Sequence, residues 1–229
     1  MMLSDVMEDY LKAIYELQGE SDERIRTSEI ADHIDVTAPT VTSMVEKLED
    51  RGLVDREKYK GVRLTPDGER VALEVLRHHR LLETYLTEHL DYDWSEVHEE
   101  ADRLEHHISE KFEERVVEAL SDPTTDPHGD PIPNERLEPP EDVEHAVLTE
   151  IEEGESVVVE RISDRDAEVL RYLDDHGVMP GVTLRVLEVA PFGMVTARIV
   201  GGEGAVSLPE EVARDVRVVA TPSEAELDV

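Results

Sequence analysis

A proline-rich segment, residues 121–141, divides the chain into two parts with different hydrophobic patterns. Before it, apolar residues recur every three or four positions, as on one face of an α-helix. After it, short runs rich in valine and isoleucine are separated by turn residues, which is typical of β-strands. We therefore expect a mainly α protein with a small C-terminal β-barrel, the two joined by a semi-rigid linker.

The first third of the chain predicts a helix-turn-helix. Residues 5–18 carry a helical apolar stripe. Thr27 and Thr37 can then cap two short helices, 28–34 and 38–51. Gly52 follows the second helix as a helix terminator. Two short helices joined by a tight turn are the arrangement that many DNA-binding proteins share.

Two β-prone runs, 53–57 and 62–65, follow directly and flank a turn that contains Lys58, Lys60 and Gly61. This pattern predicts a basic hairpin, so that the whole unit becomes a winged helix. The start of the second helix approaches base edges in such folds, and basic side chains contact phosphates. The predicted DNA-contacting residues are Arg26, Thr27, Thr37, Pro39, Thr40, Ser43, Lys47, Lys58 and Lys60.

Two longer helices are predicted next, from Pro66 to about Leu90 and from about Glu96 to Leu120. A proline suits the first position of a helix. Both helices have more apolar surface than a small winged helix alone needs to bury. A homodimer interface is the natural use of that surplus.

The second of these helices carries His98, Asp102, Glu105 and His106. At 3.6 residues per turn these positions share one face. Imidazole and carboxylate ligands suit divalent manganese, iron, cobalt or zinc. His79 and Glu83 form another pair one turn apart. Chance spacing in an acidic chain and ordinary surface histidines are the alternative explanation.

The net charge is −34, from 57 acidic and 23 basic residues, only five of them lysines. Such repulsion is screened within about 3 Å at molar salt, which favours a halophile-type surface. Residues 24–80, however, hold 11 basic and 11 acidic residues. A neutral region inside so acidic a chain suggests double-stranded DNA as its partner. With no cysteine, no signal-peptide pattern and no membrane-length apolar run, a soluble cytoplasmic protein is expected.

These residues together resemble the diphtheria toxin repressor family of iron- and manganese-dependent transcriptional regulators, over nearly the whole chain. The motifs that carry the resemblance are Asp9-Tyr10-Leu11, Ile14-Tyr15-Glu16-Leu17, Pro39-Thr40-Val41, His79-Arg80-Leu81 with Glu83, Val97-His98-Glu99-Glu100-Ala101 with Glu105-His106, and Gly129-Asp130-Pro131-Ile132-Pro133.

The resemblance implies three domains: a winged helix at 1–75, a helical dimerisation and metal domain with its linker at 76–141, and an SH3-like barrel at 142–222, followed by a tail at 223–229. It also implies a primary metal site and an ancillary one, with Asp164 of the barrel as a candidate further ligand. The primary ligands would be Asp9, Asp102, Glu105 and His106. The ancillary ligands would be His79, Glu83 and His98.

Two departures from the family pattern bear on the metal. Iron-type members place Met and Cys where this chain has Asp9 and Asp102, so its ligands are similar to those of the manganese branch. The smaller members of that branch, however, carry a metal-binding Glu where this chain has Lys12.

The expected function is a repressor of metal-uptake genes that binds a palindromic operator as a homodimer and is activated by Mn(II) or Fe(II). The chain is not expected to be an enzyme. The alternatives are a winged-helix regulator that metal does not control and a di-metal carboxylate enzyme. The enzyme would need Glu-x-x-His sets from two helices, and only one comparable set is present.

Overall fold

The computed structural model describes residues 3–19, 23–139, 145–202 and 204–221. The chain forms two compact units, each assembled from several segments. The first unit comprises Met1–Leu82, Asp102–Asp122 and Ile132–Asp142. The second comprises Glu83–Ala101, Pro123–Pro131 and Val143–Val229. Among the described residues, no helix is both long and apolar enough to cross a membrane. The predicted tail at 223–229 lies outside the described residues.

Three helices open the first unit: α1 (Asp5–Gln18), α2 (Thr27–His33) and α3 (Ala38–Glu49). Their periodic apolar positions point inward and form the core. The fully buried members of that core are Leu11, Ile14, Ile30, Val41, Val45 and Leu48. Burial of such side chains is the main force that holds these short helices in place, because helices of this length are marginal alone.

A two-stranded antiparallel hairpin follows, with β1 (Val54–Glu57) paired to β2 (Gly61–Leu64). Val62 is fully buried and anchors the hairpin on the helices. At the tip, Tyr59 has a positive φ of 69° and is 95% exposed. The predicted winged helix is therefore confirmed.

The predicted caps differ in detail. The residue that caps α2 is Arg26, whose backbone N–H donates to Glu29 at 2.7 Å, and Thr27 is the first helical residue. Thr37 does stand at the N-cap of α3, but its side chain makes no capping hydrogen bond. Its hydroxyl instead lies 2.8 Å from that of Thr40.

The long helix predicted from Pro66 to Leu90 is confirmed as α4 (Pro66–Leu90). The single helix predicted over 96–120 is wrong, because the chain forms α5 (Val97–Leu104) and α6 (Glu110–Ala119). A turn closes α5 when His107 N–H donates to Leu104, and Ser109 caps α6 by accepting from Phe112 N–H. Glu105 and His106 therefore lie in this turn and do not continue the helical face of His98.

The second unit contains a six-stranded antiparallel sheet in the order β3-β8-β4-β5-β6-β7. Its strands are β3 (Ala146–Val147), β4 (Ser156–Ile162), β5 (Thr183–Val189), β6 (Val195–Ile199), β7 (Ala205–Leu208) and β8 (Val216–Ala220). Helices α7 (Ala167–Asp175) and α8 (Glu210–Ala213) complete it. Alternate strand residues such as Val157, Val159, Leu184 and Val186 are buried. The predicted β domain is thus confirmed, with β3 and α8 added.

Residues 123–131, which belong to the predicted semi-rigid linker, are packed into the second unit. Asp126 and His128 are buried, and His128 C=O accepts from Ile162 N–H at 2.9 Å. Gly129 has φ +90°, and a Cβ there would stand 1.9 Å from Glu160 O. Only glycine permits this approach of the loop to β4.

Candidate metal centre and DNA-binding surface

The first candidate metal cluster joins α1 to the turn after α5. Donor atoms of Asp9, Glu105 and His106 all lie within 4.8 Å of one another. His106 Nε2 stands 2.9 Å from Asp9 Oδ1 and 3.4 Å from Glu105 Oε1. On its other side, Nδ1 of the same imidazole lies 2.7 Å from Glu8 Oε2. A carboxylate behind a ligating imidazole orients the ring and strengthens it as a ligand.

Burial and neighbouring charges shift the pKa values of two residues in this cluster. Partial burial raises the pKa of Asp9, and the neighbouring His106 offsets only part of that shift. For His106, burial alone would lower the pKa, but Glu8, Glu105 and Asp9 outweigh burial and raise it. The imidazole is therefore inclined to hold a proton, which a divalent cation would have to displace.

Beside this cluster lies a second set of donors, those of His79, Asp102 and Glu105, also within 4.8 Å of one another. Glu105 is 1% exposed and its Oε2 stands 2.5 Å from His79 Nδ1. The ammonium of Lys12 is placed among all three residues, 2.9 Å from Glu105 Oε2 and 3.0 Å from Asp102 Oδ1.

The second unit has its own candidate cluster, formed by Glu83, Asp126 and His128. All three side chains are buried, and their donor atoms lie within 4.8 Å of one another. Two buried carboxylates so close together are costly unless a cation answers them. In this structure His128 does so: burial alone would lower its pKa, but Glu83, Asp126 and Asp164 outweigh burial and raise the pKa to about 9.

His98 and Asp164 extend this cluster within the second unit. His98 Nδ1 lies 3.2 Å from Glu83 Oε1 and 3.1 Å from Asp164 Oδ2. Burial alone would raise the pKa of Asp164, but the bond with His98 outweighs it and holds the pKa at about 2. Asp164 is therefore an ionised carboxylate across the physiological range and lies beside the imidazole of His98.

The hydrogen bonding of His128 fixes which nitrogen faces the carboxylates. Its Nε2 lies 2.8 Å from the backbone oxygen of Trp94. A carbonyl only accepts, so Nε2 carries the hydrogen. Nδ1, which faces Glu83 Oε2 at 3.4 Å, is then the atom available to a proton or a metal. This is the usual manner in which a backbone carbonyl orients a metal-binding histidine.

The donor chemistry of both clusters fits a hard divalent cation. The ligands are carboxylate oxygen and imidazole nitrogen, with no sulfur in a chain that lacks cysteine. Such sets suit Mn(II), Fe(II), Co(II) or Zn(II) and disfavour Cu(I). The pocket of Glu83 and Asp126 already holds one positive charge, because the pKa of the buried His128 is raised to about 9. A divalent metal could take the place of that proton.

The structure distributes the predicted ligands between the two units. Asp9, His79, Asp102, Glu105 and His106 belong to the first unit, whereas Glu83, His98 and Asp164 belong to the second. Sequence reasoning missed Glu8, Asp126 and His128. The signal available for the last two was Asp126-Pro127-His128-Gly129, two potential ligands two residues apart before a glycine.

The predicted DNA-contacting residues lie at the surface of the winged helix. Thr27 is half-buried and the other eight are exposed. Pro39, Thr40, Ser43 and Lys47 lie on the exposed side of α3, away from its buried Val41 and Val45, and the exposed Thr37 stands at its N-cap. Hydroxyls, a proline ring and one lysine give this face hydrogen-bonding and apolar groups suited to a DNA groove.

Several other basic residues of the winged helix are engaged internally. Arg24 and Arg63 both pair with Asp55, at 2.6 Å and 3.2 Å. Arg56 pairs with Glu46 at 2.9 Å. These ion pairs hold β1 to its neighbours.

A winged helix whose first helix also supplies a carboxylate to a metal-type cluster defines a class of protein, the metal-responsive DNA-binding regulators. Comparison with known families gives the particular one. Residues 2–62 match the N-terminal DNA-binding domain of iron-dependent repressors, and residues 65–134 match their metal-binding and dimerisation domain. Residues 147–220 match the FeoA domain, which is an SH3-like β domain. The chain belongs to the iron-dependent repressor, or diphtheria toxin repressor, family.

Individual relatives match nearly the whole length of this chain. The iron-dependent repressor IdeR of Mycobacterium bovis is 38% identical over 227 residues, covering 94% of this chain and 97% of the relative. A solved manganese-dependent transcriptional repressor in complex with manganese shares 38% identity and a TM-score of 0.86, covering 94% of this chain and all of that one. The solved ScaR with bound Zn2+ shares 33% identity and a TM-score of 0.77, with 94% and 99% covered. These relatives are repressors and not enzymes.

Proposed function

We propose that this protein is a metal-dependent transcriptional repressor of metal-uptake genes, activated by Mn(II) or Fe(II). The observation that carries the proposal is the position of Asp9. It lies on α1, which packs in the core of the DNA-binding winged helix, and its oxygen stands 2.9 Å from His106. A metal held there would tie the DNA-binding helices to the turn after α5.

The activation mechanism follows from linkage. Without metal, the contact between α1 and the turn depends on protonation of His106 and on Lys12. A divalent cation bound by Asp9, Glu105 and His106, with Asp102 beside them, would order this contact and fix the position of α3. Because metal then favours the DNA-competent state, DNA must raise metal affinity by the same factor.

The second unit is proposed to hold the ancillary metal. Its ligands would come from Glu83, His98, Asp126, His128 and Asp164, and the burial of Glu83 and Asp126 supports this assignment. His79 stays a predicted ancillary ligand, one turn before Glu83 on α4. Within its own unit, His79 Nδ1 also contacts Glu105.

Manganese is proposed as the preferred metal. Asp9 and Asp102 are hard carboxylates, and the described ligand sets contain only oxygen and nitrogen donors. Hard oxygen ligands favour Mn(II) relative to softer ions. The relatives include repressors named for iron and for manganese, so Fe(II) is the competing activator.

The active form is proposed to be a cytoplasmic homodimer on a palindromic operator. The match to a dimerisation domain over 65–134 supports the dimer. Two-fold symmetry in the protein demands a matching repeat in the DNA.

The charge of −34 supports a cytoplasm of molar salt. The proposed domain bounds are 1–75, 76–141 and 142–222.

Selection of genomic DNA fragments by the purified protein in molar KCl tests the proposal. Three parallel selections would contain a chelator, Mn(II), or Fe(II) under anaerobic conditions. Enrichment of a palindromic site only with metal is expected. Equal enrichment with chelator would instead support a winged-helix regulator that metal does not control.

A matched pair of variants on α1 sharpens the test. Asp9→Asn removes a proposed ligand, whereas Asp5→Asn removes the same charge from an exposed position in the first turn of the helix. Loss of metal-dependent DNA binding is expected in Asp9→Asn alone. Equal DNA affinity of the two variants with Mn(II) would refute the role of Asp9.

A further inference from the structure

Lys12 lies inside the first unit's ligand cluster. It belongs to α1, and its side chain is 12% exposed. Nζ stands 2.9 Å from Glu105 Oε2, 3.0 Å from Asp102 Oδ1 and 3.1 Å from His79 Nδ1. All three contacts are of hydrogen-bond length. A lysine buried to this extent is uncommon unless it is paired, and here it is paired with two carboxylates.

The three residues that hold the ammonium would themselves make a metal site. Donor atoms of His79, Asp102 and Glu105 lie within 4.8 Å of one another. An ion that contacted all three would have to occupy the space in which Nζ now stands, because Nζ is already within 3.1 Å of each. The ammonium group of Lys12 therefore occupies the position that a metal ion bound by His79, Asp102 and Glu105 would take.

Glu105 connects this position to the proposed metal site. Both of its oxygens accept from Lys12 Nζ, Oε2 at 2.9 Å and Oε1 at 3.3 Å, and Oε1 also stands 3.4 Å from His106 Nε2 on the side of Asp9. One carboxylate thus adjoins two neighbouring cation positions, and its Oε1 is shared between them. Carboxylates bridge two metal ions in this manner in centres where the ions are roughly 3.5–4 Å apart.

Electrostatics keep the ammonium in place. Burial alone would lower the pKa of Lys12, but Glu105 and Asp102 more than compensate and raise it. Lys12 is therefore charged at any physiological pH. A second divalent ion would have to expel this charge from its carboxylates and also tolerate the first ion across Glu105, and like charges that close repel strongly in a partly buried site.

We propose that Lys12 is a resident cation that occupies the second of two adjacent cation positions bridged by Glu105. It restricts the first unit to a single divalent ion, held by Asp9, Glu105 and His106. This inference rests on the proposed metal site, but it concerns the number of ions and not DNA binding. A chain with a neutral or acidic side chain at position 12 would accept two ions.

The test compares the wild type with Lys12→Glu and Lys12→Gln. Lys111→Glu, an exposed lysine on α6, is the matched control for the change of charge. Manganese bound per chain would be counted by equilibrium dialysis and native mass spectrometry. Low-temperature EPR of the same samples would report any exchange-coupled Mn(II) pair. Thermal unfolding would establish that each variant is folded.

One more Mn(II) per chain than in the wild type is expected in Lys12→Glu, together with an exchange-coupled signal. In Lys12→Gln the same gain is expected at higher Mn(II) concentration, because that variant supplies no additional carboxylate. The wild type and Lys111→Glu should show uncoupled Mn(II) only. A coupled pair in the wild type, or no additional ion in either folded Lys12 variant, overturns the proposal.

Failure of the proposed function gives a different result. In that case the metal-dependent selection of DNA is absent, while the change in Mn(II) stoichiometry on substitution of Lys12 is still observed. If this inference alone fails, the wild type selects DNA with metal, yet all the variants bind the same number of ions.

Discussion

Acidification is expected to weaken metal binding at the cluster of Glu83, Asp126 and His128. The pKa of His128 is raised to about 9 by the surrounding carboxylates, so at pH 7 the imidazole is almost fully protonated. Its Nδ1 can bind a metal only after it loses that proton. Asp164, with a pKa of about 2, keeps its charge throughout and does not contribute to the pH dependence.

The expected loss of metal affinity follows from the two pH units between pH 7 and the His128 pKa of about 9. At pH 7 the apparent affinity is about 100-fold below its limit at high pH, which is roughly 2.7 kcal/mol. Between pH 6 and pH 8 the affinity should rise about tenfold per unit. A histidine with an ordinary pKa near 6.5 would give a nearly flat profile above pH 7.

The metal-free protein should show the opposite dependence in its stability. The pKa of His128 in the folded protein, about 9, lies above its ordinary value of 6.5. Protonated His128 therefore contributes its full stabilisation of the folded state below pH 6.5. This stabilisation is lost as pH rises through 9, by up to roughly 3 kcal/mol. Urea unfolding in chelator at pH 6.5 and pH 9.5 measures it.

The assay is titration calorimetry with Mn(II) in pairs of buffers that differ in ionisation enthalpy, which counts released protons. His128→Asn is the control, because asparagine offers an oxygen near the position of Nδ1 but cannot be protonated. About one proton fewer per chain is expected from this variant at pH 7. Equal proton release by the wild type and His128→Asn would refute the reasoning.

Three further predictions concern packing and DNA. Ile30→Ala should lower the free energy of unfolding by about 2–5 kcal/mol because Ile30 is fully buried, whereas Val6→Ala, at an exposed position, should change it little; urea unfolding compares them. Gly129→Ala should melt at lower temperature and bind Mn(II) more weakly in the second unit, since its Cβ would collide with Glu160 O; unchanged calorimetric values would contradict this. Lys47→Ala should weaken binding to all DNA sequences alike and reduce the magnitude of the salt slope of log K by about 1, with Lys111→Ala as the control in fluorescence anisotropy.

Local pattern was sufficient for the winged helix. The apolar stripe of α1, the spacing of Val41 and Val45 and the turn at Gly61 are all short-range signals, and each predicted the observed element. The break between α5 and α6 escaped prediction because the apolar pattern runs through it, from Leu104 to Ile108 and Phe112. What ends α5 is a turn at Leu104–His107 and a new cap at Ser109, and periodicity does not register either.

The metal-type cluster of the second unit could be predicted only in part, because its members are distant in sequence. Glu83 and His98 were found by helical spacing. Asp126 and His128 meet them only because Gly129 lets its loop pack on β4, a contact that no local pattern reveals. Lys12 was noted as a departure from the family pattern, but its position between Asp102 and Glu105 required coordinates.

The environment of Trp94 provides a built-in optical reporter. It is the only tryptophan in the chain, is 6% exposed, and packs in the core of the second unit. Its ring centroid lies 5.3 Å from that of His128. A protonated imidazole quenches indole emission more strongly than a neutral one. Replacement of the His128 proton by a metal that does not itself quench, such as zinc, should therefore brighten the protein's own fluorescence, so that occupancy of this pocket can be followed in real time without any label.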